Sequence, residues 1–180
     1  MKIGVFCSAN NTIDSDYFVL TEELGRWIAA NGHTLVFGGC NAGLMECVAK
    51  AVHAGGGRTI GIVPTLVERG GRKSDEVDIE FRCDNLDDRK AMLVAQSDIM
   101  VALPGGIGTL DEVFTAAAAA TIGYHGKIVV LYNMKGFWQP LVTMLDSLAD
   151  SGVIRGEWRD HIMVADTLES VVDIILKTKN

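Results

Sequence analysis

The chain has 180 residues, 48% of them hydrophobic, with 20 glycines, three prolines and a formal net charge of −7. That length is enough for one domain over residues 1–180 that buries about 70% of its unfolded surface. The acidic balance argues against nucleic acid or an anionic membrane as a partner. No apolar run reaches the roughly 20 residues of a membrane span, and the start has no signal-peptide architecture, so a cytoplasmic protein is expected. Cys7, Cys40, Cys47 and Cys83 form no Cys-x2-Cys pair, and His33, His53, His125 and His161 are scattered. Neither a metal site nor a disulfide framework is expected.

Lys2–Phe6 is an apolar strand that ends in a small polar loop over 7–11. Asp14 or Ser15 can cap a helix running to about Ala30, where Asn31-Gly32 stops it. Residues 34–37 are a second strand, followed by the glycine-rich loop 38–43 and a helix over about 44–54. Residues 59–63 are a third strand, ending before Pro64. The charged stretch 68–80 has little regularity and reads as a mobile flap or a solvated loop. A short strand fits 78–83, a helix 85–97 and a strand 98–103. The segment Ala91-Met-Leu-Val-Ala95 is apolar in every direction, which predicts a helix buried all round. After the glycine-rich loop 104–109 comes a helix whose alanine run, 116–120, suits close approach by another backbone, in the core or at a dimer face. Strand 127–132, helix 138–151, strand 162–165 and helix 167–177 complete the chain. Short apolar strands alternating with helices predict an α/β fold: a single-domain, Rossmann-like doubly wound parallel sheet with helices on both faces.

In such a sheet the ligand sits at the strand carboxyl ends. Three loops fall there: 7–11 with Cys7 and Ser8, 38–43 with Gly38 and Gly39, and 104–109. In the last, Gly105, Gly106, Ile107, Gly108 and Thr109 lie between strand and helix. Glycines let bare backbone N–H groups approach a ligand, and a helix start adds unpaired donors, so the loop reads as an anion site. Thr109 with Glu112 three residues on also fits a capping box. The pattern is neither Gly-x-Gly-x-x-Gly nor Gly-x4-Gly-Lys-Ser/Thr, so it is neither a dinucleotide fingerprint nor a P-loop.

Arg89 and Lys90 begin the 85–97 helix at the same sheet edge. A planar guanidinium can grip a phosphate or carboxylate through two bonds, which favours Arg89 as the ligand group. Lys90 pairs equally well with Asp84, Asp87 or Asp88. Glu112 lies beside the anion loop, where a carboxylate suits the positive charge of an oxocarbenium-like sugar and can activate water. Asp111 points about 100° away on a helix, so only one of the two acids can share that role.

Pro104-Gly-Gly-Ile-Gly-Thr-Leu-Asp-Glu112 resembles the PGGxGTxxE signature of the Lonely Guy (LOG) family. Asp88-Arg-Lys-Ala-Met92 is similar to the Arg-Lys segment that precedes the signature there, and Phe37-Gly-Gly-Cys-Asn-Ala-Gly-Leu-Met45 to the family's Gly-Gly-x4-Gly-Leu-Met loop. Val5-Phe-Cys-Ser8 looks like its first strand and loop. The resemblance runs from near the start to about residue 140. It implies a homodimer that hydrolyses the N-glycosidic bond of a purine nucleoside 5′-monophosphate, with Arg89 and Glu112 as the catalytic pair and Gly105–Thr109 on the phosphate. No cofactor is required. The chain departs from the family pattern at Leu86-Asp-Asp88, at Ala117–Thr121 and after Pro64, regions that border the expected place of the base. A non-catalytic nucleotide- or molybdenum-cofactor-binding carrier is the alternative reading. Lysine decarboxylation would need an electron-sink cofactor on a lysine, and neither Lys90 nor Lys127 has that setting.

Overall fold

The computed structural model of the chain describes residues 1–178, the side chain of Val67 excepted. Among the described residues, seven strands form one sheet in the order β4-β3-β2-β1-β5-β6-β7. They are β1 (Lys2–Phe6), β2 (Thr34–Phe37), β3 (Arg58–Pro64), β4 (Ile79–Cys83), β5 (Ile99–Ala102), β6 (Val129–Tyr132) and β7 (Ile162–Ala165), and every pairing is parallel. The helices are α1 (Ser15–Ala30), α2 (Gly43–Ala54), α3 (Thr65–Arg69), α4 (Leu86–Gln96), α5 (Ile107–Thr121), α6 (Gln139–Asp150) and α7 (Leu168–Lys177).

Successive strand residues point to opposite faces, so each strand feeds two cores. Ile3, Val5, Leu35, Phe37 and Val101 pack with Leu24 and Ile28 of α1, Leu44 and Val48 of α2, and Val171 of α7. Phe6, Val36, Met100 and Leu131 pack on the other face with Leu93 of α4, Val113 and Ala116 of α5, and Leu141 of α6. A sheet covered on both faces needs nearly continuous apolar strands, which the central β1, β2, β5 and β6 have, whereas the edge strand β4 carries Glu80 and Arg82. The chain leaves β1 through α1 toward β2 on one side and leaves β5 through α5 toward β6 on the other. The strand order therefore switches between β1 and β5, and a crevice opens at their carboxyl ends. Backbone bonds from Leu103 N to Phe6 O (2.9 Å) and from Ser8 N to Pro104 O (3.1 Å) hold the two flanking loops together there.

The structure departs from the sequence expectation at four places. First, α5 starts at Ile107, with Gly106 as its N-cap and no side chain capping it, so Thr109 and Glu112 form no capping box. The glycine's freedom to turn the chain, rather than a capping hydroxyl, sets the helix start. Second, a short helix, α3, follows Pro64, and the segment after it is tied down: Ser74 is fully buried, with its N–H donating to Gly39 O at 2.9 Å. Third, α4 is not buried all round. Only Leu93 is fully buried, and Ala91 and Ala95 face outward. Fourth, β6 begins at Val129 rather than at 127, because Lys127 turns its ammonium to the Val94 carbonyl (2.6 Å) at the end of α4.

Candidate active site

A pocket of about 210 Å³ opens at the switch point, lined by Cys7, Ser8 and Ala9 after β1, Met45 of α2, Arg89 of α4, and Gly106, Gly108, Thr109 and Glu112 of the β5–α5 junction. The strand-end loops that are distant in sequence thus share one cavity. At its α5 side no side chain caps the first-turn N–H groups. Unpaired donors at a helix start attract an anion, and a ligand completes what the protein leaves open.

The glycines divide into two kinds. A Cβ on Gly105 would fall 2.0 Å from Thr109 Oγ1, so only glycine lets the threonine hydroxyl sit beneath the loop. Gly106 and Gly108 are different, for a Cβ on either would meet no protein atom within 4 Å. Both line the pocket, so their missing side chains leave space for a ligand, not for the fold. Thr109 itself is only 3% exposed and lines the pocket, and its hydroxyl makes no hydrogen bond among the described residues.

Arg89 reaches this pocket because residue 38 is glycine: a Cβ there would stand 1.8 Å from Arg89 Nη2. The guanidinium lies across the end of β2, with Nη2 3.4 Å from Gly38 O and Nη1 3.2 Å from Glu112 Oε1. Its Nε–H is buried and has no hydrogen-bond partner among the described residues. A buried donor left unsatisfied costs roughly 1–3 kcal/mol, which a ligand oxygen can recover. Glu112 is 5% exposed. Burial, aided by Asp111 and opposed by Arg89 and Lys90, pushes its carboxyl up to about 7. It can therefore exist in either protonation state near neutrality. Burial, and next the Glu112 charge, push the Cys7 thiol well above its ordinary range, so Cys7 is a neutral wall of the pocket and no nucleophile.

The other expected site residues are placed differently. Lys90 Nζ pairs with Asp111 (2.9 Å) and Asp87 (3.3 Å) on the outer side of α4 and does not line the pocket. Ile107 is 87% exposed, so of its groups only the N–H, in the first turn, is available to an anion there. Gly39, in the left-handed region at φ 69°, serves the fold by binding Ser74 through its carbonyl. Gly38 and Arg89 line a second, adjoining cavity of about 440 Å³ that shares Ala9 and Met45 with the first. Its remaining wall is Cys40, Pro64, Leu66, Arg72, Asp84, Asn85 and Leu86. Sequence reasoning offered Asp84 only as a partner for Lys90 and did not single out Arg72 or Asn85. Residues 71–74 reach the cavity only by pairing with the loop after β2, through Asn41 N to Arg72 O (2.9 Å) and a bridge between Cys40 and Lys73, contacts with no local signal.

The family model described as "possible lysine decarboxylase" matches residues 45–175. The chain is 37% identical over 174 residues to a probable cytokinin riboside 5′-monophosphate phosphoribohydrolase of Oryza sativa subsp. japonica, covering 96% of this chain and 70% of that one. It is 32% identical over 170 residues to the cytokinin riboside 5′-monophosphate phosphoribohydrolase of Mycobacterium tuberculosis, covering 94% of this chain and 90% of that one. Among solved structures, the molybdenum cofactor carrier protein of Chlamydomonas reinhardtii is similar, with a TM-score of 0.73, 28% identity and coverage of 99% of this chain and 97% of that one. With a family model spanning most of its length and relatives above 30% identity along nearly all of it, the chain belongs to the LOG family of proteins, the group whose model bears the lysine decarboxylase description.

Proposed function

We propose that the chain hydrolyses the N-glycosidic bond of a purine nucleoside 5′-monophosphate, AMP or its N6-modified forms, releasing free base and ribose 5-phosphate. The observation that carries this reading is Glu112: a buried carboxyl raised to about 7, paired with Arg89, in the wall of a pocket about one turn from the uncapped start of its own helix. The phosphate lies on the first-turn N–H groups and the Thr109 hydroxyl, which places the ribose at Glu112 and Arg89. The base then extends into the adjoining cavity. As the C1′–N9 bond breaks, its electron pair leaves with the base, which takes a proton from solvent. Ionised Glu112 stabilises the positive charge on the sugar and accepts the proton of the water that adds to C1′. The proton then returns to solvent, so the net reaction consumes one water.

The relatives' names support this reading, since both are phosphoribohydrolases of a nucleoside 5′-monophosphate. Decarboxylation of lysine has no support from the site, because neither cavity is lined by a lysine that could anchor an electron-sink cofactor. The likeness to a molybdenum cofactor carrier favours a second reading, a non-catalytic binder. A carrier needs the anion loop but gains nothing from a buried acid beside it, and such an acid costs stability. Incubation with AMP and with isopentenyl-AMP, followed by detection of free base, separates the two. Release of base that stops in Glu112→Gln and Arg89→Ala supports hydrolysis. Binding without release supports the carrier.

The same reading includes a homodimer in the cytoplasm. The outward sides of α4 and α5 support the dimer: a cleft of about 590 Å³ opens between the two helices, lined by Ala91, Val94, Ala95 and Ala119 and by Tyr124, which is 81% exposed. Light scattering on the purified chain tests it, with a dimer mass expected.

A further inference from the structure

We propose that Arg72 is the residue that recognises the base, laying its guanidinium against the purine ring in the cavity beyond Arg89. This inference rests on the nucleotide reading above. The segment that carries Arg72 is fixed by its backbone: Arg72 O accepts from Asn41 N at 2.9 Å, Gly71 O accepts from Asn41 Nδ2 at 3.3 Å, and Ser74 N donates to Gly39 O at 2.9 Å. Of the neighbouring cations, Lys73 pairs with Glu80 at 2.6 Å and Arg82 with Glu80 and Glu68 at 2.8 and 2.9 Å, and Arg69, at the end of α3, does not line the cavity. The Arg72 guanidinium makes no ion pair or hydrogen bond among the described residues, yet it lines the 440 Å³ cavity. The rest of that wall is largely apolar, with Met45, Pro64, Leu66 and Leu86. A flat aromatic ring enclosed by apolar side chains and one unengaged guanidinium is what cation–π and stacking contacts favour, and arginine suits this better than lysine.

The test compares Arg72→Ala with the parent in three measurements: kcat and KM for AMP, and binding of AMP and of ribose 5-phosphate, which carries the phosphate and sugar but no base. Arg72 is exposed, so the variant should melt with the parent. The expected result is a rise of about tenfold in KM and Kd for AMP, with kcat and the affinity for ribose 5-phosphate unchanged. Unchanged AMP affinity, or equal weakening of AMP and ribose 5-phosphate, overturns the proposal. If the parent binds AMP without releasing base, the hydrolytic reading fails by itself, and the two binding constants still decide the role of Arg72.

Discussion

Arg89 Nη1 stands 3.2 Å from Glu112 Oε1, joining α4 to α5 at the floor of the crevice. One residue along on each helix, Lys90 and Asp111 form a second pair at 2.9 Å on the outer side. The two pairs share a sequence pattern of adjacent cations and adjacent acids, yet they do different work. The Glu112 side chain is 5% exposed and that of Asp111 46%. The inner pair can act on a ligand in a dry pocket, while in the outer pair the half-exposed Asp111 is reached by solvent, although Lys90 at 16% is nearly as covered as Arg89 at 14%.

Replacing members of the two pairs should separate chemistry from surface charge. Glu112→Gln keeps the shape of the pocket and removes the charge, so turnover of AMP should fall by about 10²–10⁴-fold while AMP binding persists. Lys90→Ala should change stability by less than about 1 kcal/mol and leave the AMP binding constant near the parent's. Steady-state kinetics with calorimetric binding checks both, and equal damage from the two variants would contradict the division.

Activity should rise with pH through about 7, where Glu112 ionises in the free protein. The acid limb of kcat/KM against pH reports this group, and it should vanish from the residual rate of Glu112→Gln.

Stability should move in the opposite sense. Below the ordinary carboxyl value of 4.5, Glu112 is protonated in both folded and unfolded chains and contributes nothing. Between 4.5 and about 7 the unfolded chain loses its proton while the folded chain keeps it, so folding weakens as pH rises, by about 3 kcal/mol in all. Glu112→Gln lacks this penalty. Its melting temperature relative to the parent should climb from pH 5 to pH 8, and a gap that stays constant would show an ordinary carboxyl.

Gly108→Ala and Gly38→Ala should fail in different ways. The first adds a methyl that meets no protein atom within 4 Å, so the fold is kept or gains up to about 1 kcal/mol of helix propensity. The methyl enters the anion pocket, and affinity for ribose 5-phosphate should drop. The second forces the Arg89 guanidinium off the end of β2, from which a new Cβ would stand 1.8 Å, so turnover should fall with it. Melting curves paired with ribose 5-phosphate titrations distinguish the two.

Asn133→Ala should cost about 1–3 kcal/mol without touching the pocket. Asn133 is buried, its Oδ1 accepts from Trp138 N at 2.7 Å, and its Nδ2 donates to Asp166 at 2.8 Å. Trp138 in turn donates to the Ala102 carbonyl at 3.1 Å, at the end of β5. Denaturant unfolding measures the loss, and ligand affinity should stay within about twofold.

The alternation of short apolar strands with helices was enough to read the doubly wound sheet, because central strands buried on both faces are nearly continuous in apolar residues. The Pro104–Glu112 motif likewise marked the strand-to-helix loop whose Gly106, Gly108, Thr109 and Glu112 line the pocket at the switch point. What the sequence left open was which of two neighbouring groups faces inward. Arg89 and Lys90 are adjacent cations, as Asp111 and Glu112 are adjacent acids, and only the packing of α4 on α5 assigns one of each to the crevice. The same holds for the start of α5, which backbone geometry at Gly106 sets against the reading from Thr109. Arg72 belongs with these: residues 71–74 join the cavity wall through contacts some 30 positions away. Local periodicity encodes which residues are buried, whereas the meeting of distant loops and the ionisation of Glu112 depend on how much water the assembled structure excludes.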